Sequence, residues 1–389
     1  MFGIYPNDKY YTKFCNIPEA IKENLKKVQV LIFDEISMVS GETLDLLNRI
    51  AQNAKGCNKP FGDIQVVFIG DFYQLLPIGY DNDDNVRCPN FRRERGLAFQ
   101  SRIWKLLIDS TITLNQSHRQ TEDDFLDILN KIRSPEDHSE EEKVRICNAL
   151  NRIGHSKNNE NSKSSTWLYP TNREKDERNK DELTRLSYGT PVTYKPHSWR
   201  ERGMSPVMNN DVEEVTLKEG CEVMLKRNFR MREPYLVNGS RGKVIGFKTT
   251  QEALKDIETL IETEEVQVEL DSRYYEHLQF QREYLKSESE GLELMSNKWP
   301  VVEFYNGGEV LCIAPVNWKC APYMGRSNNL DDISNETIVY AYLPLTLAWA
   351  LTINKAQGLT IESVLAIDFS HAFGYHQVYT ALSRVRTKD

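Results

Sequence analysis

Two adjacent carboxylates, Asp34 and Glu35, directly follow an apolar run and are the first side chains with obvious chemical potential. The run, residues 28–33, has the composition of a buried β-strand. A strand ending in Asp-Glu is typical of the Walker B pattern, in which the Asp holds Mg²⁺ through water and the Glu orients and helps deprotonate an attacking water. Surface acids at a strand end give the same pattern, so other residues must separate the two interpretations.

Three further side chains could complete a phosphate site. A second apolar strand, residues 64–69, leads into a turn that carries Gln74, whose amide could sense a γ-phosphate and relay its loss. Arg119 and Arg384 could reach the same site from a facing domain, because an arginine across a cleft stabilises the charge that develops in phosphoryl transfer. Each residue alone could equally be a packed turn or a surface arginine, so the prediction depends on the set.

A third group of residues has the types that contact a nucleic-acid backbone. A turn at 236–242 offers amides and a cation, a helix end at 352–358 offers polar groups, and residues 171–172 follow a strand. The candidates are Thr171, Asn172, Asn238, Gly239, Arg241, Thr352 and Lys355. The alternative for each is a hairpin turn or a helix cap, and for Thr171 and Asn172 the cap is favoured.

The composition sets the limits of these interpretations. The chain has 389 residues, enough for two or three domains, and no apolar run near the ~20 residues of a membrane span. Seven dispersed cysteines without a Cys-x-x-Cys pair argue against zinc and suit a reducing compartment. The net charge of −8 argues mildly against nucleic acid, but residues 226–232 are basic whereas residues 252–293 are acidic. Local positive charge is sufficient to hold a phosphate backbone.

The hydrophobic pattern predicts the elements that must position these residues. Near-continuous apolar strands separated by helices indicate a parallel sheet covered on both faces. In this part we expect strands at 28–33, 64–69, 111–114, 166–169 and 363–368, and helices at 41–54, 122–132, 173–186, 345–355 and 378–385. From about residue 190 the pattern predicts short strands at 223–225, 242–247, 266–270, 301–304 and 309–313. Hairpin signals at Asn238-Gly239 and Asn306-Gly307 favour a small inserted β-barrel.

In their order along the chain these motifs resemble the PIF (petite-integration-frequency) family of DNA helicases, a RecD-like branch of superfamily 1. The matching segments are 34–38, 70–75, 118–120, 236–242, 347–360 and 381–384. The resemblance implies an α/β fold with two RecA-like P-loop NTPase domains and an inserted SH3-like β-barrel. We expect a partial first domain over 1–110, a second domain in two parts, 111–190 and 336–389, and the insertion over 191–335.

The resemblance also implies a function and the residues that serve it. The family uses ATP and Mg²⁺ to unwind DNA in the 5′→3′ direction, in DNA repair, recombination and telomere maintenance. By resemblance, Asp34 and Glu35 serve Mg²⁺ and water, Gln74 senses phosphate, and Arg119 and Arg384 reach the γ-phosphate. Gly358 would also bind the nucleotide, and the backbone-contacting candidates would bind single-stranded DNA or DNA junctions. We expect a monomer that does not bind a membrane. If the source is eukaryotic, we expect it to work in the nucleus or mitochondrion.

Departures from the family pattern modify these expectations. Leu76 replaces the first of two prolines, and Asn354 and Ala356 stand where the family commonly has His and Ser. No Gly-x-x-x-x-Gly-Lys-Ser/Thr motif occurs in the sequence, and Gly242-Lys243 is followed by valine. The amide and lysine cradle for the β- and γ-phosphates is therefore missing. We expect an N-terminally truncated motor with negligible ATPase activity; the alternative is a non-catalytic remnant that binds single-stranded DNA.

Overall fold

A computed structural model describes residues 19–77, 96–133, 138–153, 165–200, 214–265, 272–287, 294–320, 338–361, 364–372 and 374–387. The chain divides into two compact units, Met1–Thr171 with Thr352–Asp389, and Asn172–Leu351. The domain boundaries at 110, 190 and 335 stay predictions. None of the described helices has the length and apolar character required to span a membrane.

The first unit opens with two strands and two helices close to the predicted ones. They are α1 (Glu19–Lys27), β1 (Val30–Phe33), α2 (Gly41–Lys55) and β2 (Gln65–Phe68). Strands β1 and β2 pair in parallel, with Val30 opposite Gln65 and Phe33 opposite Phe68. The predicted parallel arrangement is thereby confirmed, and it places the carboxyl ends of both strands at one edge of the sheet.

The two faces of the β1–β2 sheet differ in burial. Leu31 and Ile64 pack with Leu44 and Phe61 in the core between the sheet and α2. The opposite face is also apolar, but Ile32 there is 61% exposed. Val30, Val67 and Ile69 on that face are exposed as well. A parallel sheet is normally covered on both faces, but among the described residues nothing covers this one.

The rest of the first unit contains a second pair of parallel strands. Its elements are α3 (Trp104–Leu107), α4 (Asp123–Arg133), α5 (Glu140–Ile153), β3 (Thr166–Tyr169), α9 (Ile353–Ala356), β15 (Leu365–Ile367) and α10 (Tyr375–Leu382). Strand β15 pairs in parallel with β3, with Leu365 opposite Thr166. Phe125 and Leu129 on α4 are buried, and α4 packs against α10. These elements confirm the predicted αβ character of this region.

The strand predicted at 111–114 is wrong. These residues have no regular secondary structure, and Ile112 and Leu114 are 85% and 88% exposed. A strand is stabilised by pairing with a neighbour and by burial of one face, and neither is available here among the described residues.

The second unit is rich in antiparallel strands. Its elements are α6 (Asn172–Arg185), β4 (Val192–Tyr194), β5 (His197–Arg200), β6 (Val215–Leu217), β7 (Glu222–Leu225), β8 (Arg241–Thr249), α7 (Thr250–Glu265), α8 (Ser272–Lys286), β9 (Lys298–Phe304), β10 (Val310–Cys312), β11 (Val316–Cys320), β12 (Ile338–Tyr342), β13 (Leu345–Leu347) and β14 (Ala350–Thr352), whose last residue belongs to the first unit. Five strands form one sheet in the order β10-β9-β8-β7-β13. In the described part of the chain this sheet is open, so no closed barrel is found.

The helix content of this unit differs from the sequence prediction. The acidic stretch forms the helix pair α7 and α8, which pack on each other and bury Ile257 and Leu278. The strand predicted at 266–270 lies outside the described residues. The turns at Asn238-Gly239 and Asn306-Gly307 are confirmed, the second joining the antiparallel strands β9 and β10.

The helix predicted over 345–355 is wrong, since this segment forms β13, β14 and only one helical turn, α9. The backbone groups of the segment bond to partners elsewhere in the unit. Ala348 N donates to Glu222 O at 2.8 Å. The side chain of Asn179 donates to Ala350 O at 3.0 Å and accepts from Ala350 N at 2.9 Å. These bonds replace the i to i−4 bonds of a helix.

Candidate active site

The turn after β1 positions the two carboxylates. Glu35 has a left-handed backbone, with φ 52° and ψ 49°, and its N–H donates to Asp34 Oδ1 at 2.9 Å. Ile36 N donates to Ile69 O at 3.0 Å, which ties this turn to the end of β2. A side chain at Gly70 would place its Cβ 2.9 Å from Ile36 N, so the close approach of the two turns requires glycine. A non-glycine residue in the left-handed region is a feature of many functional sites.

The carboxylate of Glu35 is held by the loop that follows α9. Gln357 Nε2 donates to Glu35 Oε2 at 2.8 Å. A Cβ at Gly358 would lie 3.7 Å from Glu35 Oε1, so the predicted nucleotide-binding glycine also lies beside this carboxylate. Gln357 Oε1 is buried and has no hydrogen-bond partner among the described residues. The prediction omitted Gln357 as a site residue, although it lies within the motif at 347–360.

Arg384 is buried at the end of α10, with only 2% of its surface exposed. Its Nε donates to Thr380 O at 2.8 Å and its Nη2 to Ser383 Oγ at 2.6 Å. Burial lowers the pKa of Arg384 to about 10, and the nearby guanidinium of Arg119 adds to this effect while Glu35 opposes it. The arginine remains charged at neutral pH, and an anion would reduce the cost of its burial.

Arg119 approaches the same place from the segment that precedes α4. Its Nε donates to Thr360 Oγ1 and its Nη1 to Ser383 O, both at 3.0 Å. Burial is the main reason that the pKa of Arg119 is lowered, and the charge of Glu35 partly offsets it. Two guanidinium groups are thus close enough to repel each other, an arrangement that favours binding of a phosphate.

Gln74 lies in the turn after β2. Gln74 N donates to Asp71 O at 3.0 Å, and Tyr73 N donates to Asp71 Oδ1 at 3.1 Å, so Asp71 organises this turn. Gln74 Oε1 is buried without a hydrogen-bond partner among the described residues. A buried amide oxygen without a partner is costly, and it identifies this side chain as available for a ligand or water.

The fit of this site to a magnesium nucleotide is partial. Asp34 is exposed, as suits an ion held through water, and the described residues contain no group of three or more His, Cys, Asp or Glu that could hold a metal directly. Glu35, Arg119 and Arg384 supply a carboxylate for water and two cations for a terminal phosphate. The described residues do not include a glycine-rich loop with a lysine of the P-loop type.

The nucleic-acid candidates are split between the two units. In the second unit, Asn172 is exposed at the start of α6, and Asn238 is exposed in a turn that Gly239 closes with φ +96°. Arg241 Nη2 donates to Ala348 O at 2.9 Å, and burial lowers the pKa of Arg241. Arg241 therefore has a structural contact in addition to any contact with a backbone phosphate.

In the first unit, Thr352 is buried and serves as a helix cap. Its hydroxyl accepts from Lys355 N at 3.3 Å at the start of α9, as the alternative interpretation expected. Lys355 is exposed, whereas Thr171 is half-buried after β3. Lys355 is thus the only one of these three with an exposed charge that could contact a phosphate.

The fold and the site together define a class of protein: a mixed α/β fold of the RecA-like type, with acids at the carboxyl end of a parallel strand and two arginines beside them. A family model described as PIF1-like helicase matches residues 2–163. The chain is 30% identical over 385 residues to the ATP-dependent DNA helicase Pif1 of Psychrobacter sp. (strain PRwf-1), covering 95% of this chain and 54% of that protein. These matches support the resemblance of the chain to the PIF1-like helicase family.

Solved structures agree on the fold. The crystal structure of Pif1 helicase from Candida albicans matches with a TM-score of 0.69 and 26% identity, covering 95% of this chain and 73% of that one. The Bacteroides Pif1 helicase in complex with ADP-AlF3 and single-stranded DNA matches with a TM-score of 0.63 and 24% identity, covering 100% of this chain and 75% of that one. The chain spans about half the length of the curated relatives it matches.

Proposed function

We propose that the chain forms the Mg²⁺- and γ-phosphate-facing part of an ATP-dependent 5′→3′ DNA helicase motor. The observation that carries the proposal is the 2.8 Å bond from Gln357 to Glu35, with Arg119 and Arg384 beside that carboxylate. This bond joins two residues that are more than 300 positions apart in the sequence and lie in different motifs of the family pattern. The names of the relatives, and the ADP-AlF3 and single-stranded DNA bound by the Bacteroides helicase, support the same function.

Each residue of the site has a proposed role. Asp34 holds Mg²⁺ through water, and Glu35 orients and deprotonates the attacking water. Gln74 senses the γ-phosphate through its buried amide, whose oxygen has no hydrogen-bond partner among the described residues. Arg119 and Arg384 stabilise the charge that develops on the transferred phosphoryl group.

We further propose that a phosphate-binding segment outside these 389 residues completes the motor. The sequence contains no Gly-x-x-x-x-Gly-Lys-Ser/Thr motif. The apolar face that carries Ile32 lacks a covering layer among the described residues, and a strand and helix of the missing type would cover it. The upstream genomic sequence tests this proposal, because the absence there of a reading frame with a P-loop would refute it.

We propose that the substrate is single-stranded DNA or a DNA junction and that the protein acts as a monomer in genome maintenance. The DNA contacts that solvent exposure and turn geometry support best are Asn238, Gly239 and Lys355. The same features give less support to contacts by Thr171, Asn172, Arg241 and Thr352. The SH3-like character of the strand-rich insertion and the compartment, nucleus or mitochondrion, are proposed from the family alone.

A second candidate function is a non-catalytic protein that binds single-stranded DNA. The missing P-loop motif favours it. ATP turnover and single-strand binding should be measured on the purified chain, with Glu35→Gln as the comparison. Robust turnover that disappears in Glu35→Gln would exclude the second candidate. DNA binding without turnover, in a gene that has no upstream P-loop, would exclude the motor.

A further inference from the structure

Arg133, the last residue of α4, binds the turn that carries Gln74. Its Nε donates to Asp71 Oδ2 at 2.9 Å and its Nη2 donates to Asp71 Oδ1 at 3.1 Å, a bidentate pair. Its guanidinium carbon lies 4.8 Å from the ring centroid of Tyr73. The hydrogen-bonded carboxylate of Asp71 raises the pKa of Arg133, so this arginine is charged at any accessible pH.

These contacts fix the backbone on which Gln74 depends. Asp71 accepts the amide of Tyr73 with its side chain and the amide of Gln74 with its carbonyl. Arg133 therefore holds both the residue that closes the turn and the aromatic ring next to Gln74. Since Gln74 Oε1 has no hydrogen-bond partner among the described residues, that oxygen provides little to fix the side chain, and its position depends on the turn.

The other end of α4 is anchored beside the arginine pair. Gln120 Nε2 donates to Ser383 O at 3.2 Å and to Val385 O at 3.1 Å, just before the helix begins. Thr121 N donates to Arg386 O at 3.2 Å. The helix has 11 residues, which corresponds to roughly 16 Å at 1.5 Å per residue. One rigid element thus connects the segment of Arg119 and Arg384 to the turn of Gln74.

We propose that Arg133 is a positioning residue, which sets Gln74 in place and couples it through α4 to the two arginines. What Gln74 senses rests on the proposed function, whereas the linkage itself rests on the contacts above. A plain surface ion pair would contribute little to stability. A positioning role instead predicts a local effect on the turn that is much larger than any effect on the fold.

The test uses the full chain with Arg133→Gln, Arg133→Lys and, as the matched control, Lys131→Gln. Lys131 is also on α4 and makes an exposed ion pair with Asp127 at 2.7 Å, but it does not contact the turn. Without nucleotide, we expect Arg133→Gln to speed hydrogen exchange of the Tyr73 and Gln74 amides about tenfold, because the bidentate bond to Asp71 is lost. Arg133→Lys should restore part of the protection, and Lys131→Gln should leave it within a factor of two.

A second measurement adds ADP with aluminium fluoride and follows protection of residues 71–77 in the same variants. Protection in the wild type that is lost in Arg133→Gln supports both proposals. Faster apo exchange in Arg133→Gln, with no effect of the nucleotide on the wild type, supports the positioning role and agrees with the proposal that a segment outside these 389 residues is needed to bind the nucleotide. Unchanged apo exchange overturns the positioning role. So does a loss of protection that spreads evenly over the first unit with a lower unfolding temperature, because that outcome describes a purely structural residue.

Discussion

Replacing Arg384 by methionine should make the first unit more stable. Burial lowers the pKa of Arg384 from the ordinary value of an arginine to about 10. At about 1.4 kcal/mol per pH unit, keeping the charge in this place costs the folded state roughly 3 kcal/mol at neutral pH. Methionine has a similar length and no charge, but the change removes hydrogen bonds to Thr380 O and Ser383 Oγ, each worth about 1 kcal/mol. The net expectation for Arg384→Met is a gain of roughly 1 kcal/mol.

Native-state hydrogen exchange of the α10 amides at pH 7 measures this free energy locally. Arg173→Met is the control, since Arg173 is exposed in α6 and its ion pair with Glu177 is on the surface. The control should change stability by less than about 0.5 kcal/mol. A decrease of more than about 1 kcal/mol for Arg384→Met would refute the reasoning, because it would show that the buried charge stabilises the fold.

The pH dependence gives a second check on the same variant. The folded pKa of Arg384 is below the unfolded one, so above about pH 10 the unfolded chain binds more protons and the stability contributed by this group rises with pH. Below about pH 10 the free-energy cost of keeping Arg384 charged in its buried position is fully present. The advantage of Arg384→Met should therefore be constant from pH 7 to 9 and shrink at pH 10.5. The same variant should lose stabilisation by an added nucleotide, because the cation that would contact the phosphate is gone.

Three further outcomes are expected. The chain should turn over ATP no faster than its Glu35→Gln variant, and a tenfold difference in a steady-state phosphate-release assay would contradict this. Lys355→Ala should reduce the slope of log binding constant against log salt for single-stranded DNA by about 0.7, and an unchanged slope would exclude a phosphate contact. Leu31→Ala should cost about 2–4 kcal/mol, since Leu31 is 7% exposed, whereas Ile32→Ala at 61% exposure should cost less than 1 kcal/mol in urea unfolding. Equal costs would mean that another molecule covers the face of Ile32.

Local sequence was sufficient to predict the strands and the helix that position the site residues. The strands at β1, β2 and β3 lie within or match the predicted ranges, because short apolar runs bounded by polar turns are strong signals for buried strands. Helix α2 is similarly clear, with Ser40 as its cap and Gly56 at its end. The identities of Asp34 and Glu35 after β1 also followed from the sequence, since a parallel strand places its last residues at the edge of the sheet.

The tertiary structure decided the rest. The run at 345–355 is apolar at seven of its eleven positions and fits a helix or a buried strand, and the hydrogen bonds of Asn179, far away in sequence, favour the extended form. The contacts of Gln357 with Glu35 and of Arg133 with Asp71 join residues 322 and 62 positions apart. Spacing along the chain does not encode which distant side chains meet. The sequence by itself therefore determined which residues could do chemistry, and only packing decided which of them share a site, because side-chain contacts over long separations depend on the whole folded unit.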